Sequence, residues 1–173
     1  MTATGKATTA AALGAAVLFV ALGILTDRHL QPDGMDPFDS RLTGYTGDEA
    51  RLYLAALAEA GSIETYLGLF RQLDTIFPVL LALTFLGAIW LGTRGLPLPL
   101  RLVLGLAPVA YLWADLGENA RVAMMLRAGP AVDDATVAAA SFFTRVKWSC
   151  LALSAMVILA TWGYRRISMR AEA

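Results

Sequence analysis

The chain is predicted to be an all-α, polytopic membrane protein: a four-transmembrane-helix bundle with an extracytoplasmic helical loop between its first and second spans. Three observations predict this. Hydrophobic residues make up 57% of the 173 and charged residues only 16%, too apolar a balance for a domain whose whole surface must be wetted. Four apolar segments, at about residues 8–25, 75–91, 102–126 and 146–162, have lengths near the roughly 20 residues that cross a hydrocarbon core. No internal repeat, low-complexity tract or domain boundary divides them, so residues 1–173 read as a single membrane domain.

The first apolar run is followed by Thr26-Asp27-Arg28 rather than by small residues suited to cleavage, so it reads as an uncleaved anchor. Its small residues Ala11, Ala12, Gly14, Ala15 and Ala16 would let a second helix approach closely. The connection over residues 26–74 opens with turn material, Gln31-Pro32-Asp33-Gly34 and Asp36-Pro37. Within it, Thr46-Gly47-Asp48-Glu49 has the form of a capping box, which predicts a short helix over about residues 47–60 that stops at Gly61. Ser62 then offers a new N-cap, and the chain from Ile63 reads as helix straight into the second span. Gly95-Leu96-Pro97-Leu98-Pro99 permits only an antiparallel turn. The third apolar run follows, then a loop expected from Arg127 to Arg145, then the fourth.

Lys6, Arg94, Arg101, Arg165, Arg166 and Arg170 all flank one set of span ends. Cytoplasmic loops carry the excess of Lys and Arg, which predicts both termini inside and the acid-rich 26–74 connection outside. Arg145 and Lys147 run against this rule, at the outer end of the fourth apolar run. Cations placed there invite pairing with acids of the third span.

Those acids are the most unusual residues of the chain. The run Asp115-Leu116-Gly117-Glu118-Asn119-Ala120-Arg121 interrupts the third apolar segment, and an ionised group at the bilayer centre costs on the order of 3 kcal/mol on insertion scales. At 3.6 residues per turn, Tyr111, Asp115, Glu118 and Val122 share one stripe, with Asn119 a turn beyond Asp115. Counting about 1.5 Å per residue from Arg101 puts Asp115 about 20 Å deep and Glu118 about 25 Å deep, in the outer leaflet. Asp74 falls at a comparable level on the second helix, and Pro78 four residues later leaves the Asp74 carbonyl without its helical donor. Asp74, Tyr111, Asp115, Glu118, Asn119, Arg121, Arg145 and Lys147 are therefore the candidate polar layer. Two plainer readings stay open: Glu118 and Arg121 as an i, i+3 pair among lipid headgroups, and the layer as a purely structural tie between helices.

Other chemistry is thinly represented. With Cys150 as the only cysteine, no disulfide closes within the chain, and with His29 as the only histidine no His-rich metal or haem site is built. Asp33, Asp36 and Asp39 lack the ligand spacing of a calcium loop and read as solvated acids. His29 reads as an exposed polar residue, Met124 and Met125 as fillers, and Ser149 and Cys150 have no neighbouring base. No basic patch interleaved with aromatics points to nucleic acid, and no catalytic residue, metal or cofactor is expected.

Asp74-Thr75-Ile76-Phe77-Pro78 and Asp115-Leu116-Gly117-Glu118-Asn119, preceded by Gly44-Tyr45-Thr46, resemble the patterns of a group of small uncharacterised four-helix bacterial membrane proteins. The resemblance runs from the outer loop through the third helix. It implies the same four-span topology in a bacterial cytoplasmic (inner) membrane, with the acid-bearing layer as a shared feature, and it brings no activity. Small size, short connections and the missing catalytic motif favour a nonenzymatic accessory or assembly subunit of a larger membrane complex, in contact with lipids and with other subunits or copies of itself. The convergent acids beside a Pro-interrupted helix favour instead a carrier or receptor for a small molecule, ion or proton. A lipid- or quinone-acting enzyme using Asp115 or Glu118 as acid or base is the third reading.

Overall fold

The computed structural model describes residues 2–171, with side chains through Arg166, so the Arg170 side chain lies outside the described residues. The described chain is helical throughout, without strands. Helix α1 (Ala3–Leu25) starts at Thr2, whose hydroxyl accepts from the Gly5 amide at 3.2 Å, and continues through a wider turn, Thr26–Leu30. Helix α2 (Gly47–Glu59) lies in the connection. A single turn, α3 (Ile63–Thr65), runs through another wide turn into α4 (Arg71–Gly92). After the Pro-bearing turn come α5 (Leu98–Leu104), α6 (Leu106–Ala128) and α7 (Asp134–Ala171). Four stretches are long and apolar enough to span a membrane: Ala3–Leu30, Ile63–Gly92, Leu98–Ala131 and Asp134–Arg166.

Helix α4 sits between α1 on one side and the α6–α7 pair on the other. The small residues of α1 serve this seam: Gly14 faces the Leu80 side chain and Gly87 of α4 faces Thr8. At the far end of α4, Arg101 stacks 3.6 Å from the centre of the Trp90 ring and donates to the Trp90 carbonyl, while Arg165 donates to the Leu91 carbonyl. These cations satisfy carbonyls that a helix C-terminus leaves bare.

The apolar core gathers at the loop end of the bundle, where the 26–74 connection folds down as a cap. Leu30, Phe38, Tyr53, Leu54 and Leu57 pack there with Met125 and Leu126 of α6 and Val137 and Ala140 of α7. The Tyr53 hydroxyl donates to the Leu30 carbonyl at 2.7 Å, and burial pushes its phenol above the ordinary tyrosine value. Gly44, at φ +82°, turns the chain so that the Tyr45 amide donates to Ser141 of α7. Arg51 of α2 donates twice to Asp134 at the start of α7, at 2.6 and 2.8 Å.

The capping box forms as expected. Thr46 accepts from the Glu49 amide, and Glu49 accepts from the Thr46 amide and hydroxyl. Gly61, at φ +67°, follows the helix end. Ser62 precedes the next turn without its side chain capping it. Two boundaries differ from expectation. The third span gains a short helix before its apolar run, from Leu98, with an irregular step at Gly105. The loop expected over 127–145 shrinks, because Asp133 accepts from the Thr136 amide and hydroxyl and starts α7 well before Val146.

Both exposed caps make an acid-pH prediction. Hydrogen bonds from Thr46 hold the Glu49 carboxyl below its ordinary range, and bonds from Thr136 do the same for Asp133. Because the folded-state values are depressed, the stabilisation is complete above the ordinary carboxylate values and is lost as pH falls through the depressed ones. Amide exchange at Thr46 and Thr136, whose amides donate to these carboxylates, should therefore accelerate on acidification relative to mid-helix amides, and equal protection throughout would contradict it.

Candidate functional site

Helical spacing puts Asp115, Glu118 and Asn119 on the face of α6 that meets α4 and α7, and all three are buried. Lys147 of α7 reaches across with its ammonium 2.5 Å from Glu118 Oε2 and 3.9 Å from Asp115 Oδ2. Thr144, a turn earlier on α7, donates to Glu118 Oε1 at 2.6 Å. Glu118 has no exposed surface, so these two groups replace the water that its carboxylate lacks. The Tyr111 phenol lies against Asp115.

Pro78 has the consequence that its chemistry requires. It cannot donate to the Asp74 carbonyl, and the Asn119 carboxamide does so instead, at 3.0 Å, while also lying 3.4 Å from Asp115 Oδ1. A proline in α4 and a carboxamide in α6 are thus complementary parts of one contact. The Asp74 side chain itself is only 8% exposed and has no hydrogen-bond or ion-pair partner among the described residues.

Asp74 faces a cavity of about 850 Å³ in the loop-side half of the bundle. Helix α1 packs chiefly on α4, and the space it leaves towards α7 forms this cavity. Its walls are mainly apolar, from Ala15 and Leu22 of α1 and Phe77 and Phe85 of α4. Asp74, Tyr111, Asp115 and Lys147 supply a polar end, and Ala16, Phe19 and Gly23, which line the space, are also exposed on the outer face of α1.

Of the expected layer, Asp74, Tyr111, Asp115, Glu118, Asn119 and Lys147 come together. Arg121 and Arg145 do not join them. Arg121 turns onto the Phe143 ring, 4.9 Å from its centre, rather than pairing with Glu118. Arg145 is exposed, with its Nε 3.4 Å from the Ser141 carbonyl and its stem beside Gly44. Asp39, expected from the sequence to be a solvated acid, instead lines the cavity with its Oδ1 buried. The Trp148 indole donates to the Asp39 carbonyl at 2.9 Å, which sets this cap residue over the cavity, and its buried Oδ1 has no hydrogen-bond partner. Nothing local marks it, since its neighbours here lie on other helices. The sequence reading missed Thr144; its position one turn before Lys147 was the available signal.

The site offers hydrogen-bonding and charged groups at the end of an apolar space. Among the described residues, no group of three or more His, Cys, Asp or Glu is arranged to hold a metal ion. The fold and this site define an all-helical multi-pass membrane protein with a buried ionic layer facing a cavity. The sequence matches no protein-family profile and no curated protein, and the fold matches no solved structure.

Proposed function

We propose that the protein binds a small amphiphilic molecule taken from the membrane, as a receptor or carrier, with the head of that molecule at Asp74 and Asp115 and its apolar part along α1 and α4. The observation that carries this reading is the unpartnered Asp74 carboxylate, buried yet turned to an apolar space large enough for a ligand. The small-residue face of α1 is engaged against α4 at Gly14. The accessory-subunit reading rests on small size, short connections and the missing catalytic motif.

The proposed setting is the bacterial inner membrane with both termini cytoplasmic, so that the cap covers the site from the extracytoplasmic side. Single cysteines at Thr43 and Gly95 in a Cys150→Ser background should then label from opposite faces of sealed membranes. Labelling from the same face would reject this topology.

The binding reading is tested by extracting the tagged full chain from its native membrane into lipid nanodiscs and identifying retained molecules by mass spectrometry. A retained amphiphile that is lost in Ala16→Trp, which fills the cavity mouth at an exposed position, is the expected result. Stoichiometric recovery with a larger assembly, and no ligand sensitive to Ala16→Trp, would replace this reading with the accessory-subunit one.

A further inference from the structure

Resting on that binding reading, we infer that the molecule taken into the cavity carries a cationic, hydrogen-bond-donating head, a protonated amine on an apolar tail. The cavity presents three carboxylates, those of Asp39, Asp74 and Asp115, and a single cation, Lys147. That cation is already engaged: its ammonium lies 2.5 Å from Glu118, which sits behind the cavity wall, and 3.9 Å from Asp115. Among the described residues, neither Asp39 nor Asp74 forms an ion pair.

Among the other nearby cations, Arg121 stacks on Phe143 and Arg41 lies over the cap aromatics and donates to the Asp36 carbonyl; Arg145 does not line the cavity, nor does Arg71, whose buried Nε makes no hydrogen bond to either acid. The Asp74 side chain and Asp39 Oδ1 therefore stand as acceptors without donors, on two sides of the same space. A buried acceptor without a donor is costly, and a bound cation would supply what both lack.

The walls fit this head as well. Phe70, Phe77, Tyr111 and Trp148 line the cavity, and aromatic faces attract ammonium groups, most strongly where water is excluded. A fatty acid or phosphate-headed lipid would instead bring negative charge against the three carboxylates. The site is thus selective by charge at its polar end and permissive along its tail wall.

The test uses the full chain in nanodiscs of zwitterionic lipid and three probes with one tail: dodecylammonium, dodecanol and dodecanoate. Binding is read as saturable change in tryptophan emission above that of empty nanodiscs, with Trp148→Phe assigning the signal to the cavity. The cationic probe should bind at least about tenfold more tightly than the neutral one, as expected when a charge-assisted contact is gained. Asp74→Asn should remove most of this preference while retaining dodecanol binding, which also shows that the variant folds. If Asp74→Asn does not fold, Asp39→Asn makes the same comparison from the cap side. Equal or tighter binding of dodecanol or dodecanoate would overturn the cationic head and leave the binding reading standing. Absence of any saturable signal sensitive to Ala16→Phe, which narrows the cavity mouth without adding a tryptophan, would overturn both.

Discussion

Replacing Lys147 with methionine is expected to destabilise the protein by about 3–5 kcal/mol, the usual cost of stranding one partner of a buried ion pair. Glu118 has no exposed surface, and Lys147 is its only ionic partner among the described residues. Thr144 alone would then face the carboxylate. Adding Glu118→Gln to Lys147→Met should restore most of the loss, because a carboxamide still accepts from Thr144 without requiring a cation. Thermal unfolding in detergent, read as the fraction of protein remaining monodisperse after heating, gives the comparison. A double variant as unstable as Lys147→Met would show that the ammonium supports the fold by some contact other than its pairing with Glu118.

The second large effect belongs to Asn119. Asn119→Leu leaves the Asp74 carbonyl without a donor inside the bundle, which should cost about 1–3 kcal/mol. In a Pro78→Ala background the residue at position 78 again has an amide to offer this carbonyl. There, Asn119→Leu should cost about 1 kcal/mol less than in the native chain, a coupling read from a double-mutant cycle of the same heat-resistance measurements. Additivity of the two substitutions would mean that the carboxamide and the proline are independent features.

Both predictions concern residues that the sequence exposed through physical constraint. Charge within an apolar run has to be answered, and helical spacing alone put Asp115, Glu118 and Asn119 on one face. Pro78 identified a bare carbonyl, and the anomalous Lys147 identified a cation available to pair. The reading went astray where a residue had more than one favourable destination. Arg121 exchanged a pair with Glu118 for the face of Phe143, and Arg145 stayed on the exposed side of α7.

Helix ends and the cavity were legible to different degrees. Apolar runs mark where a chain enters hydrocarbon, whereas helices start where a cap is available, so Asp133 and Thr136 begin α7 well before its apolar stretch. That capping signal is local to Asp133 and Thr136 and lies outside the apolar run, so hydropathy does not register it. The cavity was not legible in the same way. It exists because α1 packs on α4 and stops short of α7, a property of how the helices are arranged that no local pattern specifies. Asp39 entered the site through the path of the cap, by its contact with Trp148.

The placement of α1 has a mechanical consequence. Every ion pair and side-chain bond of the buried layer joins α4, α6 and α7, so the layer is braced without any contribution from α1. Helix α1 is instead attached along one edge by close-packed small residues, at its start through the contact of Arg94 with Thr2, and at its far end through Leu22 and Leu30 in the apolar core under the cap. Sliding or tilting it would sacrifice dispersion contacts without separating a single charge. The ionic and the dispersion-held parts of the molecule are thus segregated, with Asp74, Asp115, Glu118 and Lys147 on the frame of α4, α6 and α7 and α1 packed beside that frame without an ion pair among the described residues.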